Sequence, residues 1–284
     1  MKIKIKEIAY YKLPDIKRSV RKKPLKPNPA LKKIINMLSK SDLNKLNFKA
    51  DRIDMDKLGR DEPCLILMNH SSFIDLEIAS VLLYPRSYQI VCTTDGFIGK
   101  ETLMRLIGCI PTQKFVTDVG LIKDMLYSAN KLGTSILLYP EAGYTFDGTA
   151  TVLPDSLGKC VKTLKLPLVV INTYGAFTRD PLYNMLQIRK VDISARMEYV
   201  LGPDEIRQKS AEEINEIIKS YFSFDQFKWQ QENHIRVDEP FRADGLNRVL
   251  FKCAHCKTEG KMIGKGILIK CEDCGAAYTL DAMV

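Results

Sequence analysis

The sequence lacks any apolar run approaching the ~18 residues that a helix needs to cross a bilayer. That excludes a helical span and leaves membrane contact only at the surface. Its opening stretch, residues 1–19, has neither the apolar centre nor the small-residue cleavage site of a secretory signal, so the expected location is cytoplasmic. Histidine is scarce, with three in 284 residues, so chemistry that needs an imidazole base has few candidates. No G-x-S-x-G elbow occurs, which argues against a serine nucleophile. Internal repeats and low-complexity tracts are absent outside a lysine-rich start, leaving one large globular body with room for a small appendage.

What is present begins with charge. The net charge of +9 is unevenly placed: residues 1–50 hold 15 Lys and Arg against Glu7, Asp15 and Asp42, a balance of +12, which leaves −3 for the rest. A basic segment on a slightly acidic body points to an anionic partner, a lipid surface or nucleic acid, or else to a solvated arm. An apolar share of 45% is ordinary for a folded chain with a sizeable core.

Residues 1–28 are interrupted by Pro14, Pro24 and Pro27 and carry no regular pattern. From Pro29, Leu31, Ile34, Ile35, Leu38, Leu43 and Leu46 recur at nearly helical spacing among lysines, which predicts one or two amphipathic helices over about 29–48, with a break near Ser41. Such a helix can lie in a membrane interface with its lysines near lipid phosphates, or pack its stripe on the main body. Short apolar runs then alternate with helical patterns, the signature of an α/β domain with a mixed sheet flanked by helices. Strands are expected at 64–68, 88–93, 109–112, 134–139 and 167–174, with a further one near 196–200. Helices are expected at 74–83, 100–107, 118–132 and, capped by Ser156, up to Lys165. Residues 210–231 read as one long polar helix. Ligands of open α/β sheets gather at strand C-terminal ends, and His70, Thr112 to Lys114 and Glu141 all lie just past such ends.

Asn69-His70-Ser71-Ser72-Phe73-Ile74-Asp75 leaves a buried strand and enters a helix. An Asp five positions after a His can fold back across that turn and bond one ring nitrogen, leaving the other to accept a proton. That describes a general base with its orienting group, suited to deprotonating an alcohol that attacks a thioester. A lone His at a strand end is also a common structural residue. Ser71 and Ser72 read as caps of the following helix.

In these residues the chain resembles the glycerolipid acyltransferase family, typified by 1-acyl-sn-glycerol-3-phosphate acyltransferases. The family's N-H-x-S-x-x-D is matched by Asn69, His70, Ser72 and Asp75. Its F-P-E-G-T-R-S is represented by Tyr139-Pro140-Glu141-Ala142-Gly143-Tyr144-Thr145, about seventy residues on. Between them Gly108 to Lys114 occupies the second motif's place, with Lys114 where that family has Arg. Leu166 to Ile171 stands for the fourth motif with only its first proline. The resemblance spans roughly residues 29–230. It implies His70 as catalytic base and Asp75 as its partner, with Lys114, Glu141, Ala142, Gly143 and Tyr144 on the acceptor side. It further implies acyl-CoA or acyl carrier protein as donor and a lysophospholipid-type acceptor in phospholipid synthesis. Tyr144 replaces an Arg that binds phosphate in the family, and Lys114 offers a point charge in place of a bidentate fork.

Of eight cysteines, Cys64, Cys92, Cys109 and Cys160 are scattered among apolar residues as buried thiols usually are. Cys253, Cys256, Cys271 and Cys274 form C-x2-C, fourteen residues, C-x2-C. With no secretory signal that spacing favours a metal over disulfides. The stretch MIGKGILIK between the pairs reads as a hairpin, and the whole resembles a zinc ribbon whose four thiolates would hold a structural Zn2+. Mixed charge and no interleaved aromatics make nucleic acid an unlikely partner for it.

The chain is therefore expected to comprise a basic arm with membrane-facing amphipathic helices (1–48), an acyltransferase α/β domain (49–232), a linker (233–249) and a zinc ribbon (250–284), peripheral on the inner face of the membrane. The competing readings are a lipid binder without catalysis and a nucleic-acid or protein adaptor using the basic arm and the ribbon.

Overall fold

The computed structural model describes residues 9, 11, 21–113 and 118–283. Proline at the first helical position and the Asn28 side chain, which accepts from the N–H groups of Ala30 and Leu31, start α1 (Pro29–Lys45). It runs through Ser41 unbroken. The next elements are β1 (Lys49–Ile53), β2 (Leu65–Met68), α2 (Asp75–Leu83), β3 (Tyr88–Thr93), α3 (Glu101–Leu106), β4 (Cys109–Thr112), α4 (Val119–Leu132) and β5 (Ser135–Leu138). Then come α5 (Leu157–Leu164), β6 (Leu168–Tyr174), α6 (Ala176–Arg179), β7 (Ser194–Leu201), α7 (Pro203–Gln208), α8 (Ala211–Phe222) and α9 (Gln226–Glu232). Strands β8 (Met262–Lys265), β9 (Leu268–Cys271) and β10 (Ala277–Thr279) close the chain.

Seven strands form one sheet in the order β1-β7-β6-β2-β5-β3-β4. The five from β6 to β4 are parallel. β7 runs antiparallel to β6, and β1 pairs parallel with β7, so one edge reverses and the sheet is mixed. Both faces are covered, which is why the central strands read as continuous apolar runs. Alternate residues of β2 serve opposite layers: Leu65 and Leu67 meet Met125 of α4, Val161 of α5 and Ile214 and Ile218 of α8. Ile66 and Met68 meet Leu43 of α1 and Ile78 and Leu82 of α2.

α1 docks on α2 through its polar side. Asn36 Nδ2 donates to the Ser80 carbonyl (3.1 Å), and Lys32 Nζ to the carbonyls of Pro85 (3.1 Å) and Arg86. Burial lowers the Lys32 ammonium to about 8, helped by Arg86. Of the apolar stripe only Leu43 is buried. Ile34 (50%), Ile35 (38%), Met37 (63%) and Leu38 (59%) face outward.

Several expectations need correction. Residues 210–231 are two helices, because Asp225 accepts from the N–H groups of Phe227 and Lys228 and starts a new one. Nor is the first of them polar throughout: Ile214, Ile218 and Phe222 are buried. Ser156 precedes α5 but its side chain makes no capping bond. Strand β1, helix α7 and the whole insertion between β6 and β7 have no periodic apolar pattern in the sequence. Beyond α9, Ala243 and Leu246 of the expected linker are buried with Phe177 and Tyr183 of that insertion and with Met262 and Ile269 of the small sheet β10-β9-β8. The approach is close enough that a Cβ on Gly264 would come within 2.4 Å of the Ala243 carbonyl oxygen.

Among the described residues no helix is long and apolar enough to cross a membrane.

Candidate active site

Strand β2 ends at Met68, and the chain turns sharply before α2 begins at Asp75. That turn is fastened on three sides. Asn69 Oδ1 accepts from the Thr173 N–H (2.7 Å) while its Nδ2 donates to the Thr173 carbonyl (3.2 Å), tying the turn to β6. The His70 N–H donates to Glu141 Oε2 (2.6 Å), and the His70 carbonyl accepts from the Thr145 N–H (2.8 Å). The two motifs so far apart in sequence thus meet through the backbone of His70 itself. Ser71 and Ser72 do not act as side-chain caps on the first turn in the expected way. Their N–H groups donate instead to Asp75 Oδ2, at 2.7 and 3.0 Å, and the Ser72 hydroxyl accepts from Ile74 N–H (3.3 Å).

The same Asp75 oxygen lies 3.0 Å from His70 Nδ1. Asp75 is fully buried, while the imidazole keeps 18% of its surface open. A carboxylate can only accept, so Nδ1 carries the proton and Nε2 of the neutral ring keeps a lone pair. The ring faces are covered by Tyr139, stacked with centroids 4.0 Å apart, and by Tyr144 at 4.1 Å. Tyr144 in turn meets Phe73 at 5.4 Å. Burial pushes the Tyr139 hydroxyl well above its usual value and that of Tyr144 to about 12, with Asp75 adding in both cases, so both are neutral phenols at pH 7.

Glu141 is pushed up to about 7, mainly by burial, against the pull of the His70 N–H and with Asp75 adding to the rise. A cavity of about 10 Å3, enough for one water, lies beside it between Asn69, Ser71, Thr145, Asn172 and Gln226. Gln226 Oε1 is buried without a protein partner among the described residues, which fits a water there. Ala142 sits exposed in a left-handed turn (φ 55°), its N–H on the Tyr139 carbonyl at 3.1 Å. Gly143 has open space where a Cβ would stand. Lys114 lies outside the described residues. So His70, Asp75, Glu141 and Tyr144 converge. Tyr139, Thr145 and Thr173 complete the framework without having been singled out; only Tyr139 and Thr145, inside the quoted motif, offered a signal.

The second cluster is at the other end of the chain. The Sγ atoms of Cys253, Cys256, Cys271 and Cys274 lie within 4.8 Å of one another. Four thiolates held at about 2.3 Å on a tetrahedral ion stand roughly 3.8 Å apart. The pairs Cys253–Cys274 and Cys256–Cys271 are at 3.7 and 3.8 Å, whereas disulfides need about 2 Å. The donor set therefore fits a metal, and His255 is exposed and unneeded as a ligand.

Residues 50–172 match the Acyltransferase family model, a span that holds His70, Asp75 and Glu141. The fold is similar to the crystal structure of the 1-acyl-sn-glycerophosphate (LPA) acyltransferase PlsC from Thermotoga maritima: TM-score 0.50, 12% identity, 67% of this chain and 77% of that one. No curated protein matches the sequence.

Proposed function

We propose that this chain is an O-acyltransferase that moves a fatty acyl group from acyl-CoA or an acyl carrier protein to the hydroxyl of a lysophospholipid-type acceptor in phospholipid synthesis. The observation that carries the reading is the His70 Nδ1–Asp75 bond at 3.0 Å within a span that matches the Acyltransferase model. Nε2 takes the acceptor's hydroxyl proton while the alkoxide oxygen bonds to the thioester carbonyl carbon. The buried Asp75 charge stabilises the imidazolium that forms. Backbone N–H groups at the strand ends stabilise the oxyanion. Its collapse expels the thiolate, which recovers the proton from His70 as the free thiol.

Glu141, Ala142, Gly143 and Tyr144 would face the acceptor, with Lys114 supplying an ammonium. A phenol in place of a guanidinium at Tyr144 favours acceptors with less phosphate charge than lysophosphatidic acid. The outward stripe Ile34, Ile35, Met37 and Leu38, flanked by Lys33 and Lys40, would lie in the anionic inner surface of the membrane. Cys253, Cys256, Cys271 and Cys274 would hold a structural zinc, since four thiolates close its coordination shell. Purified protein incubated with acyl-CoA and a panel of lysolipids, followed by mass spectrometry of the products, tests the reading. A new ester on at least one lysolipid is expected, and hydrolysis alone, or no product across the panel, would refute it.

A further inference from the structure

On the face of the sheet that α8 covers, β6 changes character along its length. Leu168 and Val170 share a core with residues of α5 and α8, but Asn172 and Tyr174, which continue the same face, are polar. On the neighbouring strand Arg196 stands in register with Asn172, and Glu198 with Val170. α8 ends at Phe222 and α9 starts at Gln226, so the helical layer is interrupted here. A cleft of about 330 Å3 is left, walled by Asn172, Tyr174, Arg196, Tyr221, Ser223 and Phe224. That volume lies within the range of small-molecule sites, about 300–1,000 Å3. Asn172 and Phe224 also wall the water-sized cavity beside Glu141, so the cleft adjoins the support of the turn that carries His70.

The polar groups of the cleft offer both halves of a hydrogen bond. Arg196 Nε and Nη2 donate to Glu198 Oε2, at 3.0 and 2.6 Å, and Nη1 has no partner among the described residues. Tyr221 Oη donates to Glu198 Oε1 (2.7 Å) and keeps its lone pairs as acceptors. Asn172 Nδ2 donates to the Tyr221 carbonyl (2.8 Å), which leaves Oδ1 to accept. The exposed Ser223 hydroxyl can do either. Burial raises both phenols, Tyr174 above its usual value and Tyr221 to about 12, with Glu198 adding in each case, so both hold their protons at pH 7. One wall is aromatic: Tyr174 meets Phe224 edge-on at 5.1 Å and is backed by Trp229, stacked at 5.9 Å. An anion is a poor match, because Glu198 already neutralises the guanidinium and Asp51 stands in register with Arg196 on β1. A cation would meet the same guanidinium. A neutral ligand rich in hydroxyls matches, since each hydroxyl both donates and accepts and the C–H face of a ring can lie on aromatic carbon. The geometry points to a second ligand site between β6, β7 and the α8–α9 break, which takes a neutral polyhydroxylated group, a sugar or polyol, free or as the headgroup of a lipid.

Occupation of this cleft does not depend on the acyl-transfer reading, and binding is measured without turnover. Trp229 is the only tryptophan of the chain, and its stacking on Tyr174 makes its fluorescence a reporter of the cleft. The full chain is titrated with methyl glucoside, myo-inositol and glycerol, and separately with phosphatidylcholine vesicles that contain or lack a glucosyl diacylglycerol. A saturable change is expected with at least one free polyol, or with the glycolipid vesicles beyond the plain ones. A response to a free polyol identifies a soluble ligand; a response to glycolipid vesicles alone identifies a headgroup. Arg196→Ala should weaken binding about tenfold or more, because a charged donor is lost. Ser223→Tyr, at an exposed position, should fill the cleft and abolish binding while circular dichroism stays that of the wild type. His70→Ala should bind within about twofold of the wild type. No saturable change with any polyol or glycolipid overturns the assignment. So does binding that survives in folded Ser223→Tyr, that is lost in His70→Ala, or that inorganic phosphate displaces at constant ionic strength.

Discussion

Asp75 gives one oxygen to three donors and the other to none among the described residues. That asymmetry fixes the rotamer of the carboxylate and with it the plane of the imidazole. The His70–Asp75 pairing was legible in the sequence because it is local: five residues span a single turn, and no distant element is needed to close it. Glu141 was legible only through its motif, and its use as an acceptor for the His70 N–H was not, since nothing in a Pro-Glu pair reports which amide it will meet. Burial of that carboxyl has a consequence for stability. Its value rises from the ordinary 4.5 to about 7, so the folded state holds a proton that the unfolded chain has released, and stability falls as pH climbs through that window. Glu141→Gln removes the titration and keeps an acceptor oxygen. Its thermal midpoint should exceed the parent's at pH 8, by a free energy on the order of 1–3 kcal/mol, with the gap closing towards pH 4.5. A gap independent of pH would show that Glu141 is not the group that titrates. Ala142, two residues before Tyr144 in the same loop, holds φ at 55°, where a side chain costs roughly 1 kcal/mol or more. Ala142→Gly should be neutral or stabilising by up to about 1 kcal/mol, and Ala142→Val destabilising by more than about 1 kcal/mol, in denaturant titrations. A stabilising valine would contradict the turn.

Among the elements, the buried strands and the helices that cover them follow the sequence closely, because runs such as LILM and LVVINTY have no solvent face to encode. α1 shows where periodicity falls short. A 3.6-residue stripe marks an amphipathic helix without telling which side meets the protein, and here Asn36 binds α2 and Lys32 the turn that follows it, so the polar side faces inward. Among the described residues the exposed stripe therefore has no internal partner to lose. Ile34→Glu, Met37→Glu and Leu38→Glu combined should leave the unfolding midpoint within about 1 kcal/mol of the parent's, yet reduce co-sedimentation with anionic liposomes at least tenfold. Unchanged liposome binding would remove α1 from the membrane contact. The break at Ser223–Asp225 leaves no mark in the periodicity for a different reason: Ser and Asp are tolerated inside helices, and only the capping bonds of Asp225 reveal a new start.

Across the whole molecule, the cysteine spacing announced a compact module, but its union with the main body was hidden. The insertion 175–193 has no periodic pattern, so nothing showed that Phe177 and Tyr183 would share a core with Met262 and Ile269. A small hairpin sheet with one buried face would draw much of its folding energy from a metal held by the four thiolates. Shared burial should pass that dependence on. Loaded protein is expected to bind one zinc per chain and to unfold in a single calorimetric transition. Chelation, or Cys271→Ser, should lower the midpoint of that whole transition. Two separate transitions, with the larger unmoved by chelation, would show the module to be an independent appendage. Base catalysis by the single ring nitrogen of His70 is tested most directly by transfer of a labelled acyl group from acyl-CoA by wild type and by His70→Ala, each shown to be folded by circular dichroism. Labelled ester is predicted from the wild type, with a loss of about a thousandfold or more in the variant. Equal turnover by the two proteins would make the imidazole a bystander and end the account.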